Sequence, residues 1–277
     1  MLQNKKVKTA LLIASTIAFV GCGGGSGNSN TSNDSYMDVQ AAIDGPKSNL
    51  TQELKNTLSH MGNEERLAYD VYNYLGNMWG TKQFINIASK GEYKHIGYVQ
   101  ALIQKYNLSD SDFTNVDLDP NGYKNTPISS MKAGKYDISK IQNLYDELTA
   151  RGSASEIDAL QVGCIVEVTD VNDLNDYITI AKNSNASDVQ TVFEALRQGS
   201  YNHYWAFDKG LKNRGVSDGC CSLGSQYCKS ESQYPSNNND KNGNGNGNGN
   251  GNGNGNGNGN GNGKGNRNGN GNGNGRR

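Results

Sequence analysis

The chain of 277 residues carries 26 Lys and Arg against 27 Asp and Glu, a formal net charge of -1. With no basic run in its middle, it lacks the electrostatic footprint of a nucleic-acid-binding protein. An Asn-Gly repeat without apolar residues fills the chain from about Asn237 onward, so any core must come from the roughly 170 residues between the two ends, enough for one domain.

The N-terminus has Lys5, Lys6 and Lys8, an apolar run from Ala10 to Val20, then Gly21 and Cys22. The run is too short to span a hydrocarbon layer, and a small residue directly before a cysteine resembles the lipobox of bacterial lipoprotein signals. This predicts a signal peptide over 1–21, lipidation of Cys22, and an extracytoplasmic protein anchored to membrane lipid through that residue. Phe19 stands where the lipobox usually has Leu, so an ordinary secretory signal is the alternative; either reading exports the chain. The Gly, Ser and Asn composition from Gly23 to about Ser35 predicts a flexible tether over 22–45.

Residues 46–215 read as helix throughout, an all-α domain with no strand pattern. The first long helix is predicted from near Thr51 to Met78, with a possible break at Gly62 and its end at Gly80. Its apolar stripe is Met61, Leu67, Ala68, Val71, Tyr72, Leu75 and Met78. The second runs from after Thr81 to about Tyr106, with Phe84, Ala88, Val99, Leu102 and Tyr106 on one stripe that positions 92 and 95 complete. A polar connection from Asn107 to Asp137 and a short helix from Ile138 to Arg151 read as a long crossover. Ser153 and Glu156 suggest a capping box for the third long helix, with Ile157, Leu160, Cys164, Val171, Leu174 and Ile178 inward. The fourth begins near Ser187 and Asp188 and buries Val189, Val192 or Phe193, Leu196, Ser200 and Phe207. Trp79 and Trp205 read as anchors in the core or at the bundle ends. Residues 216–236 hold Cys220, Cys221 and Cys228, which with Cys164 make an even number in an oxidising compartment. A small loop joining Cys220 or Cys221 to Cys228 is plausible, and the pairing stays open. The tail, 237–277, is predicted to be disordered.

Each long helix interrupts its apolar stripe with an ionisable residue: Glu64 or Glu65, then Glu92 and His95, then Glu167, then His203. Buried charges without partners are too costly to recur on four helices, so these groups are expected to meet. Carboxylates and imidazoles converging in a helical core form a ligand set for Fe, Mn or Zn, and Glu-x-x-His places both side chains on one face. On the first helix, Glu64 lies about 20° from the stripe centre and Glu65 about 80°. No G-x-S-x-G elbow, phosphate-binding glycine loop or H-E-x-x-H motif competes with this set.

This pattern resembles the ferritin-like superfamily, in which successive helices supply a Glu, a Glu-x-x-His, a Glu and usually a second Glu-x-x-His. The segments EERLAYDVY, GEYKHIG, LYDELTARGSASEIDAL and GSYNH further resemble a bacterial ferritin-like family known only as a domain of unknown function. The resemblance implies a ferritin-like four-helix bundle whose crossover carries an extra short helix. It favours Glu65 over Glu64, because Ala68 and Tyr72 follow at the spacing common after the ligand Glu. Helix four departs from the pattern, since Ser200 stands where the second Glu would. Asp170, one turn beyond Glu167, supplies a Glu-x-x-acid pair that resembles rubrerythrin.

The implied metal ligands are therefore Glu65, Glu92, His95, Glu167, Asp170 and His203, with Glu64 as alternative. They imply a di-iron type centre, Mn or Zn being alternatives, with oxidase or peroxidase chemistry toward oxygen or peroxide. If Asp170 faces water, a single metal is expected. The other class of function is a non-catalytic structural or binding lipoprotein with a single or vestigial metal site.

Overall fold

Thr51 opens the first long helix: its hydroxyl accepts a hydrogen bond from Leu54 N at 3.2 Å, using one of the four N–H groups that a helix leaves unpaired. Gly80 closes it at φ 65°, where a side chain would clash, and donates its N–H to Gly76 O at 2.9 Å. The computed structural model describes residues 31–109, 112, 130–136 and 138–236. Among these, all regular structure is helical. In chain order come α1 (Thr31–Asp44), α2 (Gln52–Trp79), α3 (Lys82–Asn86), a π-helical turn (Ile87–Glu92), α4 (Tyr93–Tyr106), α5 (Ser139–Gly152), α6 (Glu156–Asn183) and α7 (Ser187–Lys212). Two short 3-10 turns follow, Gly219–Leu223 and Ser225–Tyr227. No described helix is long and apolar enough to cross a membrane.

The most extensive pairing is α6 on α7, while α2 packs against α4, α5 and α6. Two apolar clusters result. The first gathers Leu67, Tyr72, Leu75, Phe84, Leu160, Cys164 and Phe207, and the rings of Tyr72, Phe84 and Phe207 sit 5.0–5.6 Å apart. The second gathers Leu54, Leu58, Met61, Ile96, Val99, Leu102, Leu174, Ile178, Val192, Phe193 and Leu196. Along α2, α6 and α7, and along the run from α3 through the π-helical turn into α4, the two clusters meet at a polar stretch, at Glu65, Glu167 to Asp170, Ser200 to His203, and Glu92 to His95 respectively.

Several expectations are corrected. Gly62 makes no break, because it is buried inside a continuous α2 whose packing offsets the roughly 1 kcal/mol propensity cost of glycine. The second helix is not one α-helix; the π-helical turn separates α3 from α4. The cap of α6 is Ser155, which accepts from Asp158 N at 3.0 Å. Ser153 instead belongs to the end of α5, donating to Thr149 O at 2.7 Å. Met78 and Ile157, placed on apolar stripes, are 45% and 37% exposed. Residues 31–44, read as part of a flexible tether, form α1. The Gly/Ser/Asn composition ends before Val39 and Ile43, and Val39 is buried in the second cluster. Lys105 Nζ fastens this segment by donating to Ala42 O at 2.7 Å and Pro46 O at 3.0 Å.

The disulfides are Cys164–Cys220 and Cys221–Cys228, so Cys221 rather than Cys220 closes the small loop. The segment after α7 lies on the first cluster: the Tyr234 ring packs at a tilt on Tyr201 and edge to face on Tyr204, and Trp205 Nε1 donates to Tyr234 O at 2.7 Å. Trp79 Nε1 donates to Gly152 O at 2.9 Å, tying α2 to α5. Cys22, the signal over 1–21, most of the crossover and the 237–277 tail lie outside the described residues.

At one end of the helices Asp188, in the first turn of α7, accepts from Lys105 Nζ at 2.6 Å and from the Tyr106 hydroxyl at 2.5 Å. Burial works against its charge, but these donors outweigh it and hold the carboxyl below the ordinary aspartate range. The folded-state value is thus lower than the unfolded one, so the stabilisation is present above ~3.9 and is lost as pH falls through the folded value. Asp188→Asn is expected to cost roughly 2–4 kcal/mol in urea unfolding at pH 7, since it leaves Lys105 without its buried counterion. The gap from the parent should narrow as the pH is taken below ~4; an equal gap at both ends of the titration would refute the assignment.

Candidate metal centre

The polar stretches of four helices converge into one layer between the two apolar clusters. Glu65, Glu92 and Glu167 are each 2% exposed and His95 5%. Glu92 lies at the centre. One of its oxygens, Oε2, is 3.2 Å from His95 Nδ1, and the other, Oε1, is 3.0 Å from His203 Nδ1. Each imidazole also faces a second carboxylate, Glu65 Oε2 at 3.1 Å from His95 Nδ1 and Glu167 Oε2 at 3.6 Å from His203 Nδ1. The two rings are 5.3 Å apart. The result is a pair of half-sites, each with one imidazole nitrogen and one carboxylate of its own, sharing Glu92.

Neighbouring groups hold the carboxylates. The Tyr72 hydroxyl donates to Glu167 Oε1 at 2.6 Å, and Ser200 Oγ donates to Asp170 Oδ2 at 2.5 Å. Ser200 thus supplies no ligand itself but orients an acid from the adjacent helix. Asp170 is partly buried beside this set. Glu64 does not join it; its Oε1 lies 3.0 Å from His60 Nε2, one turn away on α2. The structure therefore brings together Glu65, Glu92, His95, Glu167 and His203 with Asp170 alongside, and takes Glu64 elsewhere.

The titration of the layer shows what balances its charge. Burial pushes Glu65 well above the ordinary glutamate range, and the charges of Glu92 and Glu167 add to this. Asp170 and Glu167 are also raised, chiefly by burial. Glu92 goes the other way: burial opposes its charge, yet His203 and then His95 hold it far below the usual range. His203 is pushed up to about 10, since Glu92 and Glu167 together outweigh the burial that disfavours its charge. Burial thus favours the neutral form of these acids, and a proton or a metal ion would use the same lone pairs. One buried atom aimed into the layer, Glu65 Oε1, has no hydrogen-bond partner. An orphaned carboxylate oxygen beside imidazole nitrogens fits a hard or borderline divalent cation.

Sequence reading missed why the two histidines can come so close. Gly91 precedes Glu92 and abuts His203, and Gly199 abuts His95; a Cβ on either would come within 2.3 Å of the opposing Nε2. The arrangement is reciprocal, and the signal was present as two copies of Gly-x-Tyr-x-His, at 91–95 and 199–203. The π-helical turn ends at Glu92, and such turns insert an extra residue into the helical path. Gly199→Ala should force His95 from its place and lower stability by about 1–3 kcal/mol while leaving helical circular dichroism intact. Gly97→Ala, whose Cβ would meet nothing within 4 Å, serves as control and should leave the melting temperature equal or higher. Equal melting temperatures for both variants would refute the close approach.

Residues 54–231 match the uncharacterized protein domain DUF2202. Over 170 residues the chain is 36% identical to the uncharacterized protein MJ0754 of Methanocaldococcus jannaschii, spanning 61% of this chain and 81% of that protein. The crystal structure of hypothetical protein MJ0754 from Methanococcus jannaschii is similar with a TM-score of 0.55 and 32% identity, covering 69% of this chain and 94% of that one.

Proposed function

The chain belongs to the DUF2202 family, and from the layer that this domain encloses we propose a ferritin-like helical bundle that holds a carboxylate-bridged pair of metal ions. The observation that carries the reading is Glu92, which offers one oxygen to each of two histidines. Glu65, Glu92 and His95 would hold one ion; Glu92, Glu167 and His203 would hold the other, with Asp170 in reserve beside them. Iron suits this mixed nitrogen and carboxylate set, and Mn or Zn is compatible with it. Iron bound there would supply oxidase or peroxidase chemistry toward oxygen or peroxide.

The chain's own part is to bind, orient and exclude water. Three carboxylates neutralise the ions, and Tyr72 fixes the direction of Glu167 through its hydroxyl. Ser200 does the same for Asp170. The apolar clusters on both sides keep the layer dry. Metal loading would compete with protons for Glu65, Asp170 and the imidazoles, so uptake should release protons. The second reading, a non-catalytic binding or structural lipoprotein with one or no metal, draws on Ser200, which removes a bridging carboxylate from α7.

The proposal includes export and lipid anchoring through Cys22. Two disulfides support the export, because such bonds persist in oxidising compartments. Cys22→Ser should move the protein from the membrane fraction to the soluble extracytoplasmic fraction. Unchanged membrane association would refute the anchor.

Reconstitution of the full chain with Fe(II), Mn(II) or Zn(II), followed by metal analysis, tests the centre itself. The parent should bind in stoichiometric amount; His95→Ala and His203→Ala should each bind at least tenfold more weakly and lose any Fe(II) oxidation. Glu194→Ala, at a side chain 38% exposed and paired with Lys182, should match the parent. No stoichiometric uptake by the parent, or full uptake by the His95 variant, would overturn the reading. Uptake without Fe(II) oxidation would favour the non-catalytic alternative.

A further inference from the structure

One helical turn outward from the core layer, on the side of the second apolar cluster, lies another group of potential ligands. His60 and Glu64 come from α2, and Asp173 from α6. One ligand atom from each lies within 4.8 Å of the other two. His60 Nε2 is 3.0 Å from Glu64 Oε1, while the other oxygen of Glu64, Oε2, is fully buried and has no hydrogen-bond partner. The ring of Tyr177 meets that of His60 edge to face at 5.9 Å and 79°, which fixes the imidazole orientation. Among the described residues, no lysine or arginine forms an ion pair with Glu64 or Asp173, so two carboxylates face each other with one imidazole to balance them. The side chains of His60 and Glu64 are 14% and 15% exposed, against 2% for Glu65 and Glu92 and 12% for His203, so the acids of this group are more open to water than the core carboxylates.

We propose that His60, Glu64 and Asp173 form a second binding site, for a first-row divalent cation, with water completing its coordination. One imidazole nitrogen and two carboxylates are a donor set for Fe(II), Mn(II) or Zn(II), and two helices hold these donors at fixed positions. The cation supplies the two positive charges that the facing carboxylates lack and gives Glu64 Oε2 a partner. The site stands on its own three residues and does not require the core layer to be filled.

Zn(II) titration of the full chain by calorimetry, with metal analysis of the product, tests this. Expected is one Zn(II) fewer per chain, or at least tenfold weaker binding of one ion, in His60→Ala and in Asp173→Asn. A double variant, His95→Ala with His203→Ala, should keep the ion that those variants lose. Failure of the core reading would appear differently, as a parent that binds a single Zn(II) sensitive to His60 and insensitive to His95. Should the double variant not fold, anomalous scattering from parent crystals soaked in Zn(II) decides. A peak about 2.0–2.1 Å from His60 Nε2 is expected. Unchanged stoichiometry and affinity in His60→Ala, or no peak among the three residues, would overturn the site and leave a shared proton as the balance between Glu64 and Asp173.

Discussion

The fold turns on a layer of desolvated charge that two apolar clusters enclose. Carboxyl groups from Glu65, Glu92, Glu167 and Asp170 face only two imidazoles there, and a buried ion costs several kcal/mol unless it is paired with good geometry. The helices must therefore arrive in register. Contacts far from the layer set that register. Lys105 joins the ends of α1, α4 and α7, Trp79 ties α2 to α5, and Cys164–Cys220 clasps α6 to the segment after α7. None of these groups touches the layer, yet each limits the sliding of a helix that carries part of it.

Near-symmetry between α4 and α7 explains much of the geometry. Each contributes Gly-x-Tyr-x-His, and each glycine makes room for the histidine of the other, so both Nδ1 atoms turn toward Glu92. The symmetry breaks at one position, where Glu92 on one helix corresponds to Ser200 on the other. A hydroxyl there cannot bridge two ions. It can hold Asp170, and so the acid absent from α7 is replaced by one that α6 supplies. The departure that weakened the motif in the sequence thus acquires a physical role in the folded chain.

The long helices and the convergence of Glu92, His95, Glu167 and His203 were legible because period-3.6 patterning reports burial directly, and an ionisable residue on an apolar stripe is a strong signal. Periodicity alone favoured Glu64 over Glu65, and only the family resemblance pointed to Glu65, which the structure places beside His95. Neighbouring residues on a helix differ by about 100°, and α2 packs against three partners, so both side chains find inward-facing places. Each went to a different cluster. His60 carries no signal of its own for the same reason, since Glu64, its partner one turn away, also lies near the apolar stripe of α2. α1 was missed because composition was averaged over a stretch whose last third carries Val39 and Ile43. The π-helical turn has no periodic signature of its own; only the glycine beside Glu92 marked it.

Stability alone gives a poor account of the layer. The four helices already run apolar clusters on either side, and replacing buried ion pairs by well-packed apolar residues is often neutral or stabilising by about 1–4 kcal/mol. A chain selected for rigidity would continue Leu and Phe across Glu65, Glu92 and Glu167. Instead it carries acids whose ordinary ionisation is opposed by burial, a carboxylate oxygen of Glu65 without a partner, and glycines placed to bring imidazoles together. These features oppose folding by themselves, and under the proposed function a bound cation would offset that cost, because a ligand that binds only the folded state adds its binding free energy to stability. The outer group of His60, Glu64 and Asp173 follows a weaker version of the same logic. Water shares its charge, so an ion held there on the proposed reading would exchange with solvent more readily than one held among the buried core carboxylates.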